Sequence, residues 1–491
     1  MSSRKQAISS IVNKKEVKSA LEQWGRVKSQ STPLESLHLF QQIQQRLSSL
    51  PASESQKIPG AHSGLPNQRR VINVLLHEAI ESLKQIDAET SKLLTERYLD
   101  GLSVIELAYR RNVAESYLYK QINQAIEDLA AIILTREVGF LNRKKEVWLQ
   151  RIDAASYLEL VGAEKHKQRL YNLITGEESP WVISVQGIGG IGKTSLTHAV
   201  ILQVLDDCPF DEVYWVSAKS ERFSPIGTIF GDSSAPTQSR SIFFKLLQQV
   251  APDKIDSTRS PFEQILKILQ TYLKSQRALV VIDNLETVTD LEELLPHLES
   301  LVNPSRIVLT SREHAGFIQP VQRFAIPDLD KPSSLQLIRQ EAINTNLVEI
   351  GQSEDDELLP IYQTVGGNPL ALRLATGLLH TQSLSTLLTS FEDAPTSQVG
   401  NLYDFIYQQS WQQLEELERQ VLLAMPLTPE AGDALSYLAE IVSLSQAKIS
   451  SAINQLANLN LIQVHREKPA YRYSIHSLTR TFLLNTAIGW K

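Results

Sequence analysis

The sequence holds 491 residues, with 48 basic and 55 acidic side chains, a formal net charge of −7 and a single cysteine. Such a length sustains about three domains, and the charge argues against wholesale adhesion to nucleic acid or anionic lipid, leaving only local contacts. Cys208 alone excludes an intramolecular disulfide framework and a multi-cysteine zinc cage, which fits a reducing compartment.

The longest apolar run is Leu129 to Leu134, far short of the ~20 residues of a membrane span. The opening Met-Ser-Ser-Arg-Lys stretch leads to Lys14 and Lys15 rather than to an apolar signal core. The expectation is a cytoplasmic protein without membrane contact.

The first sixty residues carry nine basic and four acidic side chains. They read as a loose basic arm and linker, with a short helical pattern through Val17, Leu21, Trp24 and Val27, another helix near Leu37 to Leu50, and a boundary near Ile58. Residues 68 to 134 read as helices throughout. Ser103 is the expected N-cap of a short helix over Val104 to Ala108, and a second helix starts at Glu115 after Asn112-Val113-Ala114 and runs through Leu118, Ile122, Ile126 and Leu129. Two helices joined by so short a turn form a helix-turn-helix pattern.

The stretch from Leu94 to Ser103 with this helix pair resembles the last DNA-binding region of bacterial sigma factors over about forty residues. In such modules polar and basic residues at the start of the second helix read the major groove. Here that helix offers Glu115, Ser116, Tyr119, Lys120, Gln121, Asn123 and Gln124, and residues 61 to 150 hold twelve basic and twelve acidic side chains, so phosphate attraction is weak. Protein docking stands beside DNA binding as its role, with Arg110, Arg111 and the basic arm favouring DNA.

An apolar run, Val182 to Val185, leads into Gly187-x-x-x-x-Gly192-Lys193-Thr194-Ser195 and then an apolar helix pattern. This is the strand, loop and helix context of a P-loop. Gly187, Gly189, Gly190 and Gly192 let backbone N–H groups turn toward phosphate oxygens, and the helix N-terminus adds partial positive charge. Lys193 would reach the β- and γ-phosphates and Thr194 would ligate Mg²⁺. The strand Ala278 to Ile282 ends in Asp283, placed to hold a metal-bound water, with Glu286 beyond it as the residue that orients the attacking water. A third strand, Arg306 to Thr310, ends in Ser311-Arg312, whose guanidinium would sense the γ-phosphate.

Together these segments resemble the NB-ARC family of STAND signal-transduction ATPases, known from plant immune receptors, apoptosome scaffolds and bacterial regulators, over roughly residues 155 to 491. Leu158 to Glu164 is similar to the family's adenine-side segment, which makes Val161 and Gly162 nucleotide contacts, although Ala163 stands where an arginine is usual. Phe210 to Ser217 resembles its second strand. Gly366-Gly367-Asn368-Pro369 matches its glycine-x-proline motif, whose proline packs on the nucleotide; read locally, Gly367 is a helix C-cap and Asn368 the next N-cap. Near the end, Ile449, Ile453, Leu456 and Leu459 form a helix face, and Leu461 to Val464 and Tyr471 to Ile475 flank a turn, a winged-helix pattern. In it Ile475-His476-Ser477 occupies the place of a methionine-histidine-aspartate motif whose histidine touches the β-phosphate of ADP, with Ser477 replacing the acid.

The expected fold is multidomain: an α/β P-loop NTPase with a parallel sheet flanked by helices, an all-α N-terminal domain, a helical subdomain and a C-terminal winged helix. The expected divisions are 1–60, the arm and linker; 61–150, the helix-turn-helix domain; 151–325, the nucleotide domain; 326–395, the helical subdomain; and 396–491, the winged helix. The resemblance implies an ATP/ADP switch with Mg²⁺ that self-associates in the ATP state, hydrolyses ATP slowly as a reset, and acts through its N-terminal domain on DNA or a protein. No repeat period marks a sensor, so a separate sensor protein is a further expected partner. Two other classes compete: a DNA-stimulated ATPase that remodels nucleic acid, and a transcription factor holding ATP structurally.

Overall fold

A computed structural model describes residues 8–27, 30–55, 57–61, 64–153, 155, 157, 159–178, 180–218, 238–254, 261–285, 291–311, 321–392, 399–429, 432–467 and 470–485. The chain divides into two compact units, Met1–Leu149 with Asp206–Cys208, and Gln150–Leu205 with Pro209–Lys491.

The first unit is helical: α1 (Lys14–Glu22), α2 (His38–Ser49), α3 (Asn67–Lys84), α4 (Ala88–Leu94), α5 (Val104–Arg111) and α6 (Glu115–Leu149). The stretch read as a loose arm is built into this unit. Val17, Ala20 and Leu21 on α1, and Leu39, Phe40, Ile43 and Leu47 on α2, are buried, because both helices carry an apolar stripe that packs on α6, with α2 also on α3. Glu137, mid-way along α6 and 1% exposed, accepts the His38 N–H at 2.9 Å and the Leu39 N–H at 3.0 Å. A carboxylate thereby satisfies the donors that the start of α2 leaves without intrahelical partners.

Ser103 caps α5 in a capping box with Glu106, the local signal read from the sequence. Asn112 then adopts a left-handed conformation (φ 51°), and α6 begins at Glu115. The helix runs 35 residues, well past Leu129, because Ile133, Glu137, Leu141 and Trp148 continue to present buried positions.

In the second unit five parallel strands, β1 (Val182–Gln186), β2 (Glu212–Ser217), β3 (Ala278–Asp283), β4 (Arg306–Ser311) and β5 (Val321–Ala325), form a sheet in the order β2-β3-β4-β1-β5. Strands β1, β3 and β4 are buried at every position, as expected when helices cover both faces. At the edge, Gln249 bonds both the N–H (3.3 Å) and the C=O (2.7 Å) of Trp215, closing part of the open side of β2. Strand β5 escaped the sequence reading because Gln322 and Arg323 are exposed at the opposite edge and break its apolar run.

Helix α7 (Glu164–Thr175) precedes β1, α8 (Lys193–Asp207) follows the glycine loop, and α9 (Gln238–Val250), α10 (Phe262–Ser275) and α11 (Leu291–Glu299) lie between the later strands. Beyond the sheet come α12 (Lys331–Asn344), α13 (Val348–Gln352), α14 (Asp355–Val365), α15 (Pro369–Leu378), α16 (Leu384–Glu392), α17 (Val399–Gln412), α18 (Glu416–Ala424), α19 (Leu435–Val442), α20 (Gln446–Asn458), the antiparallel pair β6 (Gln463–Glu467) and β7 (Ala470–Ser474), and α21 (Ser477–Asn485). One hydrophobic core runs from Leu335 and Ile338 through Leu372 and Val421 to Ile453, Ile475 and Phe482, spanning the stretches read as two separate domains. Asn368 caps α15 through the Leu370 and Ala371 N–H groups, whereas the C-cap of α14 is Gly366 rather than Gly367.

Candidate nucleotide site

The P-loop lies at the carboxyl end of β1, between β4 and β5, where an open parallel sheet leaves a crevice. Gly192 has φ +96°, a conformation that admits glycine readily and turns the chain into α8 at Lys193. Lys193 is 6% exposed, and its Nζ donates to the Gly187 and Ile188 carbonyls at 3.1 and 3.2 Å, so the ammonium folds back over the loop. The Thr194 hydroxyl donates to Asp283 Oδ1 at 2.8 Å, joining the loop to the end of β3. Asp283 is fully buried, and its Oδ2 has no hydrogen-bond partner among the described residues.

Around the loop opens a cavity of about 470 Å³. Val161, Gly162, Gly190, Gly192, Lys193, Thr194, Ser195, Pro369 and His476 all line it, so nine of the expected contacts share one space. Gly187 and Gly189 belong to the loop without lining the cavity, and Asp283 stands behind Thr194. Glu286 and Arg312, the expected water-orienting and γ-phosphate-sensing residues, lie outside the described residues.

Elements far apart in the chain close over the loop. Asn368 Nδ2 donates to the Gly189 carbonyl at 3.0 Å while its Oδ1 caps α15, so one amide ties the helix start to the P-loop. A Cβ at Gly189 would meet Leu478 of α21 at 3.0 Å, which shows how near that helix approaches. The Leu478 N–H donates to His476 Nδ1 at 3.2 Å; with Nδ1 accepting, the neutral ring carries its proton on Nε2.

Several lining residues escaped the sequence reading: Tyr157, Lys165, His166, Asn284, Arg373 and Gln463, with the Ile326–Asp330 segment. Arg373 pairs with Glu341 at 3.3 Å. None of these belongs to a spaced motif, and only the fold gathers them. His198 on α8 meets the Tyr157 hydroxyl at 2.9 Å and the Trp215 ring edge-on at 6.1 Å. Burial lowers the His198 pKa below its usual value, opposed by a hydrogen bond and the charge at Asp153. Burial also pushes the Tyr157 phenol up to about 12.

Residues 163–347 match the NB-ARC domain family. The chain is 23% identical over 359 residues to a disease resistance protein of Arabidopsis thaliana, covering 69% of this chain and 37% of that one. It is 20% identical to disease resistance protein RPV1 of Vitis rotundifolia (71% of this chain, 23% of that one) and 22% identical to the TMV resistance protein N of Nicotiana glutinosa (63% and 27%). It thus spans less than two fifths of the length of each of these relatives. A solved STAND protein with a tetratricopeptide repeat sensor from Pyrococcus horikoshii aligns over 68% of this chain and 43% of its own, at 15% identity and a TM-score of 0.45. Among the described residues no helix is long and apolar enough to cross a membrane. Over residues 163–347, then, the chain carries a match to the NB-ARC domain, with the P-loop inside it.

Proposed function

We propose that the chain is an adenine-nucleotide switch in which ADP holds the C-terminal segment over the P-loop and ATP releases it. One observation carries this reading: Gln463, Ile475 and His476 from the C-terminal segment and Pro369 from α15 line the same cavity as Gly190 to Ser195 of the loop. A ligand there touches both parts at once, so a difference of one phosphate can bias their arrangement. Couplings of this type are worth about 1–3 kcal/mol.

The start of α8 and Lys193 would hold the phosphates, His476 the β-phosphate side, and Val161, Gly162 and Pro369 the base side. Asp283 Oδ2, without a partner among the described residues, and the Thr194 hydroxyl make an oxygen donor set suited to Mg²⁺, and these two residues would hold it. When bound, that ion neutralises developing charge on the phosphates. Glu286 would orient water and Arg312 would sense the γ-phosphate. Hydrolysis is then slow and resets the switch.

In this reading the ATP state self-associates and the helical N-terminal unit is the output, with α5 and the start of α6 as a helix-turn-helix and 396–491 as a winged helix. Clustering raises the effective concentration of that output for DNA or a protein partner, and a separate sensor protein supplies the trigger. The test is to identify the nucleotide extracted from the purified protein and to measure its mass by multi-angle light scattering with ADP and with a non-hydrolysable ATP analogue. An ADP-bound monomer that assembles with the analogue is expected; a mass indifferent to nucleotide overturns the switch.

A further inference from the structure

The strand order places β4 between β1, which carries the P-loop, and β3, which carries Asp283. Whatever stands at the tip of β4 is therefore inserted between the phosphate loop and the metal-side carboxylate. Thr310 stands there, fully buried. Its Oγ1 accepts the Asn284 N–H at 2.7 Å and donates to Asp283 Oδ1 at 2.6 Å. That same oxygen takes the Thr194 hydroxyl at 2.8 Å. Two donors converge on Oδ1, and Oδ2 keeps no partner among the described residues.

A carboxylate held by one hydroxyl can rotate about its Cβ–Cγ bond and exchange its oxygens. Two donors from two different elements remove that freedom, and the Asn284 N–H fixes the direction in which Thr310 donates, since an N–H cannot accept. The strand tip is itself anchored on its other side: Ser311 Oγ lies 3.2 Å from Ser184 Oγ, which Gln186 Nε2 also bonds at 3.1 Å.

We propose that Thr310 is a positioning residue for the metal-bound nucleotide. It orients Asp283 so that Oδ1 draws the Thr194 proton, leaving a Thr194 lone pair for the ion, and Oδ2 is presented to the ion's water. The inference rests on the nucleotide reading above. Partners that orient a metal site in this way are typically worth about 10–100-fold in metal affinity.

The experiment titrates a fluorescent ADP analogue into the full chain, in EDTA and across a Mg²⁺ series, for wild type, Thr310→Val, Thr310→Cys and Thr310→Ser. Wild type and Thr310→Ser are expected to show the same tightening by Mg²⁺. Thr310→Val should need roughly ten-fold more Mg²⁺ for the same tightening, with Thr310→Cys between them and affinity in EDTA unchanged throughout. Circular dichroism and thermal melting establish that each variant folds. Folded Val and Cys variants with a wild-type Mg²⁺ response overturn the inference, as does an equal loss with and without Mg²⁺ or the failure of both variants to fold. Wild type that binds no nucleotide removes the functional reading first and this inference with it.

Discussion

Two buried carboxylates, one in each unit, set architecture apart from chemistry. Glu137 is 1% exposed and both its oxygens accept N–H donors at the start of α2. Asp283 is equally buried, yet its donors all fall on Oδ1 and its Oδ2 has none among the described residues. Burying a charge is costly unless its hydrogen bonds are completed within the fold. Glu137 completes them and joins α2 to α6; Asp283 leaves a capacity that no described residue uses. The difference teaches where to look for a ligand: at the half-satisfied carboxylate rather than at the satisfied one.

The largest expected effect breaks the satisfied member. Glu137→Ala strands two buried N–H groups at the start of α2 and should cost about 3 kcal/mol of stability, read from urea unfolding. Nucleotide affinity should stay near wild type. A cost below about 1 kcal/mol would mean that α2 does not depend on this carboxylate.

Asp283→Asn tests the other member and should invert the pattern. The amide oxygen still accepts from Thr194 and Thr310 while a buried charge disappears, so stability should change by no more than about 1 kcal/mol, or rise. The enhancement of nucleotide binding by Mg²⁺ should vanish. Strong destabilisation with Mg²⁺ dependence retained would place Asp283 with Glu137 as architecture.

A smaller effect sharpens the closure over the loop. Asn368→Leu removes both the cap of α15 and the bond to the Gly189 carbonyl, a loss of about 1–2 kcal/mol in thermal or urea unfolding. If the contact helps to hold the closed state, ADP should bind more weakly while the ATP analogue is less affected.

The smallest effect is a pH dependence at His198. Burial lowers the pKa of this ring in the native state, so it takes up a proton at a lower pH than in the unfolded chain, where protonation occurs as pH falls through about 6.5. The unfolded state then binds more protons, so this contribution to stability is present above pH 6.5 and declines below it until the native ring also protonates. His198→Gln should flatten that part of the profile between pH 7.5 and 5.5, measured as the shift in urea midpoint. An unchanged slope would show that His198 is not the group responsible.

Much of the loop and strand framework of the candidate site was legible because its signals are local. A buried strand, a glycine loop and a lysine at a helix start are backbone requirements imposed on neighbouring residues, as are the Ser103 cap and the Asn368 cap. Strand β5 was not legible, since an edge strand with exposed Gln322 and Arg323 loses the continuous apolar run that marks β1, β3 and β4. The helices at Lys14–Glu22 and His38–Ser49 were seen as patterns but read as a loose segment, because their partner, the far half of α6, lies about a hundred residues away.

The sequence by itself determined the glycine loop with its flanking strand and helix, the buried strands β1, β3 and β4, and the N-caps Ser103 and Asn368, because steric and hydrogen-bonding rules of that kind act over a few residues. Tertiary structure alone decided that Thr310 stands between the loop and Asp283, that Asn368 reaches Gly189, and that His198 meets Tyr157. These meetings follow from strand order and from the packing of the helices beyond the sheet. A polar side chain can bond many partners equally well, and only the fold selects the one it meets.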